Sequence, residues 1–98
     1  MGTEFIPVES MVDLTEEYLT KRVSVKLVTG EVVTGIVRWR EEDDSQTGIE
    51  GDWGFVLDNA VLNGIPLGHS TTIPDSRIAA YCPLEPANTR EEMIAMGL

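Results

Sequence analysis

Two runs of alternating apolar and polar positions lie next to each other in the chain, residues 22–29 and 31–39, with Gly30 between them. Val23, Val25 and Leu27 share one face of the first run, and Ser24 and Lys26 take the other. In the second run Val33, Gly35, Val37 and Trp39 fall on one face. Period-two alternation rich in β-branched residues on both sides of a glycine reads as an antiparallel hairpin. Its inward face then holds Trp39 with Val33 and Val37, which makes that indole a core side chain. A third apolar run, residues 53–62, follows a polar connector at 41–52 that is too rich in carboxylates to be buried. Asn63-Gly64 ends it with a tight-turn dipeptide. A weaker strand falls within 67–73, Pro74-Asp75-Ser76 marks a turn, and a fifth strand from Arg77 reaches Tyr81 or Cys82 before Pro83 stops it.

The flanks change period. Met11, Leu14, Tyr18 and Leu19 follow the i, i+3, i+7, i+8 rule of an amphipathic helix. Ser10 can cap that helix, and Asp13, Glu16 and Glu17 place negative charge in its early turns. Thr89 and Glu92 stand three apart, as in a capping box, and predict a short helix through Met96. The chain therefore divides into a lead-in at 1–9, one domain at 10–83 and a tail at 84–98. The fold class expected is all-β: a small, strongly bent barrel of five strands with an N-terminal helix. Gly35 supplies the bend or bulge inside the second strand.

At 98 residues the chain forms one domain with a modest core, for which self-association would add burial. No apolar stretch is long enough for a transmembrane helix, and no secretory pattern opens the chain, so a cytoplasmic protein without membrane partners is expected. Cys82 is the single cysteine and has no internal partner, in keeping with a reducing compartment. The formal net charge of −10, seven basic against seventeen acidic residues, argues against duplex DNA, whose affinity comes from cations displacing phosphate counterions. The cations are clustered, however: Lys21, Arg22, Lys26, Arg38 and Arg40 all precede the acidic connector. Asp43, Ser45, Thr47 and Gly48 partly match the start of a calcium loop. Gly54 stands where the bidentate Glu belongs, so a solvated acidic loop is the reading and no metal is expected. With one histidine, His69, no phosphate loop and no nucleophile motif, neither an enzyme nor a cofactor is expected.

Three segments resemble the Sm-like (LSm) family. Lys-Arg-Val-Ser-Val-Lys-Leu-Val-Thr-Gly-Glu-Val-Val-Thr-Gly-Ile-Val, at 21–37, is similar to that family's first hairpin. Gly-Phe-Val-Leu-Asp-Asn-Ala, at 54–60, is similar to the end of its first motif. Ile-Pro-Asp-Ser-Arg-Ile-Ala-Ala-Tyr, at 73–81, resembles a divergent second motif. The resemblance spans residues 10–83. It implies an open five-stranded barrel whose fourth strand pairs with the fifth strand of the next copy, closing a homo-oligomeric ring of roughly five to seven subunits. Val56, His69, Thr71, Ile73, Ile78 and Tyr81 become interface candidates. The alternative is a monomer whose edge is covered by its own tail.

The resemblance also implies single-stranded RNA as a ligand, held between the two motif loops. Glu50, Asp52, Trp53, Gly54, Asp75, Ser76 and Arg77 occupy the matching positions. Several depart from the family pattern. Asp52 replaces the stacking residue, Gly54 replaces a base-recognising Asn, and Pro74-Asp75 replaces Arg-Gly. Trp53 would supply a stacking face if the loop register shifts by one. Two function classes follow: a divergent single-stranded RNA binder or RNA-associated scaffold, and a protein-interaction ring that no longer binds RNA.

Overall fold

A computed structural model describes residues 4–42 and 53–97. Residues 43–52 of the acidic connector, Glu50 and Asp52 among them, lie outside the described residues, while Glu41 and Glu42 extend the second long strand. The chain runs through β1 (Ile6–Pro7), α1 (Met11–Tyr18), β2 (Arg22–Leu27), β3 (Val32–Glu42), β4 (Trp53–Leu62), β5 (Ile65–Pro66), β6 (Thr71–Pro74), a 3₁₀ turn (Asp75–Arg77), β7 (Ile78–Pro83) and α2 (Arg90–Ala95). All strand pairings are antiparallel. The order across the sheet is β1-β7-β2-β3-β4-β5, and β6 also pairs with β4. The fold is mostly antiparallel sheet with two short helices, as the alternation and the flanking periods predict.

Two short strands were not among the five expected. Ile65–Pro66 pairs back onto β4 through Asn63-Gly64, whose φ values of 49° and 86° make a two-residue hairpin turn of the primed kind. Ile6–Pro7, part of the expected lead-in, adds to β7.

Sheet order and chain order conflict at one place, and that conflict shapes the molecule. β6 sits beyond β4 and β7 sits beyond β2, yet only the three residues of the 3₁₀ turn separate them. A sheet with end strands this close in the chain has to roll up. The register of β3 on β4 shifts twice to allow it, between Thr34 and Ile36 and between Val37 and Arg40. At the first shift Gly35 lies against β4, where a Cβ would come within 2.8 Å of the Asp58 carbonyl oxygen and 2.9 Å of the Leu57 Cβ. Only glycine allows that approach.

The second shift overturns one expectation. Trp39 is not a core side chain; it is 58% exposed. The extra residue between Val37 and Arg40 reverses the inward-outward alternation, so Arg38 and Trp39 both face solvent and Arg40 turns inward.

The core gathers inside the curve: Val23, Val25, Val33, Val37, Phe55, Leu57, Ala60, Ile73 and Ile78, closed at one end by Leu14, Tyr18 and Leu19 of the helical segment. α1 starts on Ser10, whose Oγ accepts the Asp13 N–H at 3.4 Å. Burial raises the Tyr18 hydroxyl above its ordinary pKa, with Tyr81 and Glu17 adding to the effect. The tail is tied to the helix by Asn88, which donates through Nδ2 to the carbonyls of Leu19 at 2.9 Å and Glu16 at 3.3 Å. α2 begins in the expected capping box, Thr89 and Glu92 each accepting the other's backbone N–H.

Candidate functional site

Three strand ends converge where the resemblance places a ligand. Register sets Arg40 opposite Phe55, Glu41 opposite Gly54 and Glu42 opposite Trp53, while Gly54 also faces Pro74 and Phe55 faces Ile73. Gly54 thus lies between two strands. A Cβ on it would stand 2.3 Å from Thr72 Cγ2 and 3.2 Å from the Ile73 carbonyl oxygen, so its missing side chain lets β6 approach β4. Phe55 continues inward from this end and is fully buried.

Arg40 organises the site. Its Nη2 pairs with Asp75 Oδ2, both side chains being about three-quarters buried, and its guanidinium lies 6.0 Å from the centre of the Trp53 ring. Trp53 is about half exposed. The Thr72 hydroxyl donates to the Glu41 carboxylate across the same end. Ser76 and Arg77 follow Asp75 in the 3₁₀ turn, both exposed, and the Arg77 carbonyl accepts the Val28 N–H at 2.8 Å. Trp53, Gly54 and Asp75 therefore meet at one end of the sheet, whereas Arg77 lies at the β2–β3 turn beside Leu27, Glu31 and Val33.

The sequence reading did not include Arg40 in this group. A second strand that stops at Trp39 leaves Arg40 outside any pairing, between that strand and the connector at 41–52. Extending that strand's pairing three residues further would have set it opposite the third run.

Chemically, the site offers a half-open indole flanked by a guanidinium, a combination that stacks on a flat ring. It offers little to a phosphate, because the guanidinium already faces a carboxylate. The same neutralisation recurs across the basic cluster. Lys21 pairs with Glu92 at 3.4 Å and Arg38 with Asp58 at 3.0 Å. Lys26 lies 5.9 Å from the centre of the Phe5 ring. Three of the five clustered cations thus sit against carboxylates, and the basic stretch of sequence is not a basic face of the molecule.

The interface candidates divide by location. Val56 is half-buried on β4, opposite Thr72. Thr71 is half-buried, and Ile73 and Ile78 are buried in the core, so any contact at these two would use backbone. His69 is exposed in the loop before β6, its Nδ1 2.7 Å from the Ser70 carbonyl oxygen. Tyr81 is half-buried against Tyr18, with ring centres 6.0 Å apart, and pairs with Ile6. Cys82 is buried at the end of β7.

Among the described residues, no group of three or more His, Cys, Asp and Glu side chains is placed to hold a metal ion. Nor, among them, is any helix long and apolar enough to cross a membrane. No protein-family model matches the chain, and no curated protein matches it.

Proposed function

We propose that this chain is an Sm-like subunit that assembles edge to edge with copies of itself into a closed homo-oligomeric ring, serving as a protein scaffold. One observation carries the reading. β6 pairs with β4 on one flank and, among the described residues, with no strand on the other. Its outer N–H and C=O groups form an edge able to accept another chain's strand. The order β7-β2-β3-β4-β6, rolled up by Gly35 and joined through a three-residue turn, supports the Sm-like assignment. Each copy would offer β6 to the β7 of the next, a head-to-tail contact whose rotation closes a ring. The neutralised basic cluster favours a scaffold over an RNA binder.

Light scattering on the purified chain tests the assembly. A mass of roughly five to seven subunits at tens of micromolar is the expected result, with ring-shaped particles by electron microscopy. A monomer throughout that range refutes it.

Trp53 carries the second reading, a ring that stacks single-stranded RNA bases at the Arg40 end. Fluorescence anisotropy with short oligouridine separates the two. Binding at low salt that Trp53→Ala abolishes supports RNA, and its absence at low salt supports the scaffold.

A further inference from the structure

The edge of β7 that assembly requires is already occupied. β1 lies along it in antiparallel register, Ile6 opposite Tyr81 and Pro7 opposite Ala80, and the Val8 N–H donates to the Ala79 carbonyl oxygen at 3.4 Å. In an antiparallel ladder, hydrogen-bonded and non-bonded pairs alternate. The Val8–Ala79 bond therefore makes Pro7 and Ala80 a non-bonded pair, with the polar backbone groups of Ala79 and Tyr81 directed at β1. Those are the outward groups in the middle of β7, and an incoming strand would need the same ones.

The alternation also gives Pro7 a role. Its nitrogen points away from β7, toward solvent, where any other residue would present an N–H. Proline leaves no donor there, so β1 covers the edge without offering a full edge of its own.

β1 is held lightly. It is two residues long, both are exposed, and its last hydrogen bond is long. A cavity of about 390 Å³, lined by Ile6, Pro7, Glu9, Asp13, Leu14 and Tyr81, separates it from the helix instead of packed side chains.

We infer that β1 is a displaceable strap: it guards the β7 edge of the free subunit and must leave before β6 of a second copy can pair there. This rests on the assembly reading above. The strap makes association a strand exchange, so assembly responds to concentration and to anything that binds the N-terminal segment.

The full chain tests it, with Cys82→Ala to remove the native thiol. Pro7→Cys with Ala80→Cys bridges the strap to β7, the side chains of a non-bonded pair being the closer ones and its Cα separation of about 4.5 Å lying within disulfide reach. Sedimentation velocity should find the oxidised form monomeric at concentrations where the same protein, reduced, assembles. Val8→Pro, which deletes the donor to Ala79, should assemble at a concentration at least tenfold lower than the unmodified chain. Equal assembly with the bridge open and closed overturns the strap and leaves the ring standing. An unmodified chain that stays monomeric at tens of micromolar overturns the ring reading and the strap with it.

Discussion

β6 and β7 are separated by only three residues of 3₁₀ turn, yet their surroundings differ: β7 carries a strand on each flank, whereas β6 pairs with β4 alone among the described residues. Both are short, and each places one isoleucine, Ile73 or Ile78, in the same core. Hydrophobic anchoring is therefore shared, and the difference lies in the backbone. A strand edge left unpaired at one end and lightly covered at the other is asymmetric in the way a head-to-tail contact requires. The cover is also an answer to the hazard of an open edge, because a free monomer with two exposed ends would pair indiscriminately. What distinguishes the two ends is that, among the described residues, only β7 carries a covering strand.

That comparison breaks most sharply at Phe55. It is fully buried on β4 and sits directly opposite Ile73, so it supports β6 far more than β7. Phe55→Ala should cost about 3–5 kcal/mol in urea unfolding. Hydrogen exchange should rise first at residues 71–74 and later at 78–83. Equal loss of protection in both would mean that the two ends form one cooperative unit.

Salt gives an intermediate effect. Each copy carries a formal −10, and gathering several copies brings like charges together. Raising salt from tens to hundreds of millimolar should strengthen association several-fold, since screening acts within about 10 Å at 0.1 M. Any RNA binding at the Trp53 end should respond in the opposite sense. Light scattering and anisotropy across one salt series would separate the ring contact from the ligand contact.

The smallest effect concerns the tail, which docks beside the β7 end through the Leu84 N–H to the Arg22 carbonyl and through Lys21–Glu92. The Thr89 backbone and side chain hold the Glu92 carboxyl below its ordinary value of 4.5, with Lys21 contributing. A depressed carboxyl stabilises the folded state above its unfolded pKa, and that contribution disappears as pH falls through the lowered value. Below about pH 4.5, amide shifts of residues 90–95 should report fraying of α2, while β6 stays unchanged. Glu92→Gln should flatten the profile. Because the Glu92 side chain is about half exposed at the surface, the change will be modest.

Much of this architecture was legible in the chain because it is written in local chemistry. Valine alternation, Asn63-Gly64, Ser10 and the Thr89–Glu92 pair each act over a few residues, and each appears where its own geometry demands. Gly35 was legible too, as a residue without a side chain inside an otherwise filled strand. Trp39 shows the limit. Alternation assigns it inward only if the ladder stays in phase, and the bulge that reverses it arises from how β3 must bend over β4. The basic cluster misleads for a related reason. Neighbours in sequence, Arg38 and Arg40 each meet a carboxylate from a distant segment, Asp58 and Asp75, which neutralises them in place.

Local pattern alone determined the long strands and the two helices, their caps and turns, and the all-β class, since backbone sterics and hydrophobic period operate within a turn or a strand. Tertiary structure decided the rest: which edge is left open, that Ile6 and Pro7 cover the other, and that Trp53, Arg40 and Asp75 meet. Those outcomes depend on pairings between residues tens of positions apart, and only the rolled sheet brings such partners within bonding distance.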